Sequence, residues 1–361
     1  MILSQNHNKR FQEIRQDIHD GLDKIHSNEK VVNGFYVTEV EKQLKEISQR
    51  KYALLVTSGS HAITIALQAH GLTHGDAVIV TNYSCPASLS SVMVGGFEPV
   101  FCEINEHGNM DPNQLPSLLS PRVKGVVATG LYGDMHDHDA IKKFCDDNGL
   151  VYVNDAAQSQ FALCNGIDSL KCGDTVATSF ADNKPIPTIG TYGAILTDDD
   201  AVYNMVRSLR KNGKATHDEP YLMAGYSSHP EEDKALQIHA TIPHFRKWID
   251  RRVEIGDIYD EAFKGKIDVR KKPTYSKWNG HKYSIFVKDK LWSHDKLNDM
   301  GVQTERHYLD NFASLDWTPT STSNFSVTDK FVKQSLTIPN NPHMSNDDVD
   351  FVIDCVLKHQ K

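Results

Sequence analysis

Between Tyr52 and Asp198, short apolar runs alternate with stretches of helical spacing, and that alternation leaves few folds open. The runs Tyr52 to Val56, Ala77 to Val80, Pro99 to Cys102, Gly125 to Thr129, Val151 to Val153, Val176 to Phe180 and Gly193 to Leu196 have the length of strands. The stretches between them, among them His61 to His70, Leu115 to Leu119 and Asp139 to Asn148, place apolar residues at helical intervals. Apolar strands separated by helices predict an α/β fold, a mostly parallel seven-stranded sheet sandwiched by helices. In open sheets of this kind ligands bind where strands end and loops lead into helices.

The flanking segments differ. Residues 1 to 33 are polar and helix-compatible, and Thr38-Glu39-Val40-Glu41 reads as a capping box ahead of Val40, Leu44 and Ile47, predicting a helix from about Thr38 to Gln49. After Leu196 come a charged helical region from Asp199 to Lys211 and a long helical stretch from Glu231 to Phe263 that would join two lobes. From Gly265 a smaller α+β lobe follows, with a strand-like Lys282 to Val287 and a closing helix at Asp347 to Lys358. The expected division is 1–230 for the N-terminal segment and large domain, 231–264 for the connection and 265–361 for the small C-terminal domain.

Composition narrows the partners. The net charge of -8, from 47 acidic against 39 basic residues spread along the chain, offers no basic footprint for nucleic acid or anionic lipid. No apolar run approaches the roughly 20 residues that span a bilayer, and the start of the chain lacks the apolar core of a signal peptide. A cytoplasmic protein with a small-molecule partner is expected. Six cysteines without CxxC spacing read as small apolar residues in a reducing compartment. The run His136-Asp137-His138-Asp139 reads as an exposed polar loop rather than a metal site, and no metal is expected.

Three strand ends carry chemistry. Thr57-Ser58-Gly59-Ser60-His61 joins a strand to a helix whose N-terminal amides and dipole suit a phosphate. Val151-Tyr152-Val153-Asn154-Asp155 ends an apolar strand in a carboxylate, followed by Gln158; buried there, Asp155 needs a cation or hydrogen-bond donors, or else it caps the next helix. Ser179 precedes Lys184 by five residues at a third strand end, where burial suits a lysine to Schiff-base chemistry. Singly each pattern is common. In this order they supply a phosphate cradle, a partner for a pyridine nitrogen, a donor near a ring oxygen and an amine, the four needs of pyridoxal phosphate.

At these residues the sequence resembles the DegT/DnrJ/EryC1/StrS family of sugar aminotransferases, within fold type I of the pyridoxal-phosphate enzymes. Asn154-Asp155-Ala156-Ala157-Gln158 is similar to the family's EDAAQ, Thr57-Ser58-Gly59-Ser60 to its SGT turn, and Ser179-Phe180 with Lys184 to its SFxxxK. Gly71 to Val80, Gly96 to Phe101, Leu131-Tyr132-Gly133, Gly301 to Tyr308 and Leu336 to Ser345 extend the likeness over nearly the whole chain. The resemblance implies Lys184 as the Schiff-base lysine and Asp155 as the partner of the pyridine nitrogen, with Gln158 beside the ring hydroxyl and Gly59, Ser60 and Ser179 on the phosphate. It also implies pyridoxal 5'-phosphate with pyridoxamine phosphate as the intermediate form, glutamate and a nucleotide-linked keto-sugar as substrates, and a homodimer with active sites at the subunit interface.

Two places depart from the family pattern. Where the family sets an aromatic residue over the cofactor ring, Tyr83-Ser84-Cys85-Pro86 sets Cys85, with Tyr83 as a substitute. Where the family has Asn-x-Arg from the partner subunit, this chain reads Gly225-Tyr226-Ser227-Ser228-His229-Pro230, with Ser227 as the phosphate donor. A pyridoxamine-dependent sugar dehydratase is a second reading, opposed by Lys184 because those relatives carry histidine there. A binding or regulatory protein that kept the fold without catalysis is a third, motivated by Cys85, Ser227 and His229.

Overall fold

The computed structural model describes residues 1–27, 32–214, 216, 218, 220–321 and 323–359; of the polar N-terminal segment, 28–31 lie outside the described residues. Its centre is a seven-stranded sheet of β1 (Tyr52–Val56), β2 (Ala77–Thr81), β3 (Glu98–Cys102), β4 (Val123–Thr129), β5 (Val151–Asp155), β6 (Thr175–Ser179) and β7 (Gly193–Thr197). In space the order is β1-β7-β6-β5-β4-β2-β3; β3, β2, β4, β5 and β6 pair in parallel, while β7 runs antiparallel between β6 and β1. Each predicted strand is present, with ends that differ from the expected ones by at most two residues.

Helices α1 (His7–Ser27) and α2 (Phe35–Ser48) precede the sheet. Helices α3 (Gly59–Ala69), α4 (Pro86–Val94), α5 (His138–Asn148), α6 (Asp200–Leu209), α7 (Glu232–Thr241) and α8 (Phe245–Phe263) follow in turn. One sheet face packs α3, α4 and α6 through Leu54, Val56, Ile65, Val92 and Val206. The other packs α2 and α7 through Leu55, Val40, Leu44 and Leu236, and α5 through Val126 and Ile141. Alternate residues of β1 thus enter opposite cores, which explains its uniformly apolar sequence.

Several sequence expectations are corrected. Leu115 to Leu119 is no α-helix: Pro112–Leu118 forms a 3-10 turn, because Pro112 and Pro116 remove the donors an α-helix would use. The single helix expected from Glu231 to Phe263 breaks into α7 and α8 around Pro243. Helix α2 begins a turn earlier than Thr38, and Thr38 is no N-cap; its hydroxyl donates back to the Gly34 carbonyl (2.8 Å). Glu232 caps α2 instead. Its buried carboxylate accepts from the amides of Gly34 (2.7 Å), Tyr36 (2.8 Å) and Val37 (3.0 Å), so the first turn of α2 is satisfied from nearly two hundred residues away. His136 is fully buried and its Nε2 bonds the Tyr152 hydroxyl, while Asp137 caps α5; the His-Asp run is therefore not an exposed loop. Among the described residues no His/Cys/Asp/Glu group is arranged to hold a metal, and no helix is long and apolar enough to cross a membrane.

A third core joins α8 to the C-terminal strands Tyr283–Phe286 and Ser335–Ile338 and the closing helix Asn346–His359, through Ile255, Tyr259, Ile285, Leu336 and Val352. Ile2 packs against this core and pairs with Val302, tying the beginning of the chain to its last hundred residues. On this packing we propose the three-part division read from the sequence, with α8 cemented to the third part. Replacing Glu232 with alanine strands three buried amides, so Glu232→Ala should lower unfolding stability by about 2–4 kcal/mol, read as a lower denaturant midpoint.

Candidate active site

The strand ends of β5 and β6 and the turn after β1 open into one cavity of about 230 Å³. Gly59, Ser60, Cys85, Asp155, Gln158, Ser179 and Lys184 all line it; Ser227 does not. The turn and the lysine loop meet because glycine lets them. A Cβ on Gly59 would lie 2.8 Å from the Ser179 Cβ, and one on Gly193 would lie 2.5 Å from the Ser58 carbonyl. Ser58 caps α3, its hydroxyl accepting from the His61 amide (3.1 Å), and the helix N-terminus faces the cavity beside Gly59 and Ser60. That is the geometry of an anion cradle.

Asp155, nearly buried at the end of a central strand, is no helix cap. Its Oδ2 accepts from the hydroxyls of Ser88 (2.8 Å) and Thr129 (3.2 Å), and its Oδ1 from the Ala157 amide (3.1 Å). Three donors hold the carboxylate in one orientation at the cavity wall, ready for a cationic partner such as a protonated ring nitrogen. Sequence reasoning missed Ser88 and Thr129, which are 67 and 26 residues from Asp155 and carry no local signal.

Gln158 is held at both ends: its Oε1 accepts from the Tyr132 amide (3.1 Å) and its Nε2 donates to the Tyr308 hydroxyl (2.7 Å). Burial raises the Tyr308 phenol far above its ordinary range, so it keeps its proton beside Gln158. The lysine loop is clamped by buried Gln160, whose Nε2 donates to the Ser179 carbonyl (3.0 Å) and whose Oε1 accepts from the Ile186 amide (3.2 Å). From helix α1, Arg10 donates to the Asp182 carbonyl (2.9 Å) of the same loop. Lys184 itself is 8 % exposed and lines the cavity that Asp155 lines.

The two departures resolve differently. Tyr83 does not replace the missing aromatic: it is wholly buried, its hydroxyl bonded to the His307 carbonyl (2.6 Å) and the Tyr132 hydroxyl (3.0 Å), and small side chains at Cys85, Ala87 and Ala157 line the cavity instead. In the segment after Gly225, Ser227 makes a backbone bridge to Lys211, while its neighbour Ser228 is fully buried in its own chain. Ser228 Oγ accepts from the Thr57 amide (3.1 Å) and bonds Thr57 Oγ1 (2.9 Å) and His61 Nδ1 (3.2 Å), bracing the phosphate turn from behind. His229 is half-buried, and burial with the charges of Lys211 and Arg210 lowers its pKa.

The residues therefore fit pyridoxal phosphate: an anion cradle, an anchored carboxylate, a fixed amide and a shielded amine converge on one cavity. The comparisons decide the family. A model of the DegT/DnrJ/EryC1/StrS aminotransferase family matches residues 12–357. The chain belongs to that family. With membership comes dependence on pyridoxal phosphate. Relatives include a pleiotropic regulatory protein of Geobacillus stearothermophilus, 27% identical with 97% of this chain and 96% of the relative covered. The UDP-2-acetamido-2-deoxy-3-oxo-D-glucuronate aminotransferase of Pseudomonas aeruginosa is 26% identical, covering 94% of this chain and 95% of its own. In fold, the chain superposes on the crystal structure of S. venezuelae DesV in complex with a ketimine intermediate with a TM-score of 0.95, at 24% identity, covering 100% of this chain and 98% of that one.

Because Ser228 braces the turn, Ser228→Ala is expected to weaken cofactor affinity roughly fivefold, about 1 kcal/mol, in a fluorescence titration of apoenzyme. A second expectation concerns Lys290, whose Nζ donates to the Tyr308 carbonyl (2.7 Å) and whose pKa burial and Arg306 push down from 10.5 to about 7. Between those values the unfolded chain binds the proton that the folded chain has released, so this group makes stability rise with pH. Lys290→Met should flatten that rise between about pH 7 and 10, measured by urea titration at several pH values.

Proposed function

We propose that this enzyme transfers an amino group from glutamate to a keto-deoxysugar carried on a nucleotide, making a deoxyaminosugar for a cell-surface polysaccharide or a glycosylated metabolite. The convergence of Lys184, Asp155 and the Ser58 to Ser60 turn on one cavity carries the reading, and the nucleotide-sugar substrate named for the Pseudomonas aeruginosa relative supports it. Bound there, pyridoxal phosphate supplies an electron sink.

Each residue then has a defined task. Gly59, Ser60 and Ser179 hold the phosphate against the α3 N-terminus. Asp155, fixed by Ser88, Thr129 and Ala157, keeps the ring nitrogen protonated. Gln158, pinned between Tyr132 and Tyr308, orients the ring through its hydroxyl. Lys184 Nζ would hold the cofactor and, when its amine is free, would carry a proton to and from the reacting carbon. Its shielding from bulk water keeps that proton from exchanging away.

The functional unit in this proposal is a homodimer with its active sites at the subunit interface.

Lys184→Ala should lose the visible absorbance of the covalently held cofactor and all turnover, while Asp155→Asn should bind cofactor and slow transfer by roughly a hundredfold or more. The wild-type enzyme, given glutamate and a panel of nucleotide keto-sugars, should yield the amine by mass and proton NMR. Water loss without amine gain would indicate the dehydratase reading. A protein that stays colourless with added pyridoxal phosphate would indicate a binding or regulatory role.

A further inference from the structure

The cofactor cavity has one edge whose polar groups the protein leaves free. On the rest of its wall the side chains are committed: Ser58 caps α3, Ser88 and Thr129 hold Asp155, Gln158 is bonded at both ends, and Ser179 accepts from the Ala181 amide (3.3 Å). Asp182, Asn183 and Thr191 also line the cavity, and among the described residues their side chains make no hydrogen bond and no ion pair. Arg10 reaches the backbone carbonyl of Asp182 (2.9 Å) and leaves the carboxylate without a counter-ion. The edge is nonetheless held in shape. The Lys184 amide donates to the Ala181 carbonyl (2.9 Å), closing the turn that carries Asp182 and Asn183, and Gln160 clamps the loop on both sides of it.

Asp182 stands at the mouth of the cavity. It is exposed, and of the described residues it is the one that the cavity shares with a neighbouring groove of about 590 Å³ between α1 and α7. The cavity itself, at about 230 Å³, is smaller than the roughly 300–1,000 Å³ of a pocket that encloses a ligand, even before the cofactor takes its share. A sugar that reacts at Lys184 therefore lies at the mouth, beside the two residues that precede the lysine. A carboxylate accepts hydrogen bonds and donates none, while an amide and a hydroxyl do both, a set that matches the hydroxyls of an uncharged sugar. It does not suit a sugar with a carboxylate of its own. Lys184 is the one cation on the described wall of the cavity, so two like charges would meet there.

We infer that Asp182 is the specificity-determining residue for the sugar: its carboxylate accepts from a hydroxyl next to the reacting carbon and repels a uronate. The inference rests on the aminotransferase reading and names the acceptor class, an uncharged hydroxylated keto-sugar.

For the test, holoenzyme of wild type, Asp182→Ala and Asp182→Asn is first loaded with the amino group from L-glutamate. The cofactor spectrum is then followed as one of three nucleotide-linked keto-sugars is added: an uncharged sugar with a hydroxyl beside the keto carbon, its analogue lacking that hydroxyl, and a uronate. Asp182→Ala should need roughly tenfold more of the hydroxylated sugar for half-maximal conversion, at an unchanged maximal rate, and no more of the analogue. Asp182→Asn should accept the uronate at a roughly tenfold lower concentration than wild type does. Because Asp182 is exposed and Arg10 bonds its backbone, both variants should melt as wild type does. Unchanged dependence on the hydroxylated sugar in Asp182→Ala, an equal loss with both uncharged sugars, or a wild type that takes the uronate in preference overturns the inference. If wild type aminates none of the sugars, the aminotransferase reading fails by itself. Calorimetric binding of the hydroxylated sugar to holoenzyme then decides on Asp182: weaker binding in Asp182→Ala supports its role, and equal or absent binding refutes it.

Discussion

The position of β7 governs the rest of the molecule. It runs antiparallel between β1 and β6, strands separated by more than a hundred residues, and so brings the turn after β1 alongside the loop after β6. Gly193 opens β7 against the Ser58 carbonyl and Gly59 sits on Ser179, at separations that leave no space for a Cβ. Without that backbone contact the anion cradle and the lysine would belong to different parts of the surface. With it, the two sides of the cofactor cavity are one rigid unit, and the core beneath is shared by β1, α3 and α6.

Around that unit, hydrogen bonds over long sequence distances replace flexibility with fixed orientation. Gln160 holds both ends of the lysine loop, Ser228 braces the phosphate turn, and Ser88 with Thr129 aims the Asp155 carboxylate. The C-terminal part contributes as well. Asn279 donates to the carbonyls of Gln158 and Gln160 (2.9 and 2.8 Å), and Tyr308 reaches Gln158. A site assembled from so many elements is preorganised: its polar groups lose little freedom when a charged ligand arrives.

Charge is placed unevenly on the two sides of the lysine loop. The cavity wall holds one anchored carboxylate, whereas the space behind the lysine loop holds Arg10, Arg252 and Lys282 against Glu305. In the proposed function, the anchored acid is the group that would keep a ring nitrogen protonated. The same enclosure lowers Lys290 to about 7 and His307 to about 3, so the cationic excess is limited by groups that burial has neutralised.

The sequence by itself determined most of the element types and the candidate strand ends, because apolar periodicity and turn residues are local signals; the prolines that turn Leu115 to Leu119 into a 3-10 turn are the exception. Strands from Tyr52 to Leu196, the Ser58 to Ser60 turn, Asp155 and Lys184 were legible for that reason. Tertiary structure alone decided what touches what across the chain. Glu232 caps α2 where a local capping box was expected, Tyr83 is spent in a buried hydroxyl network, and Ser228 rather than Ser227 reaches the phosphate turn of its own chain. No periodicity encodes such pairs. They follow from the order of strands in the sheet and from the cost of leaving a buried donor, acceptor or charge without a partner, and both are settled only when the whole chain is packed.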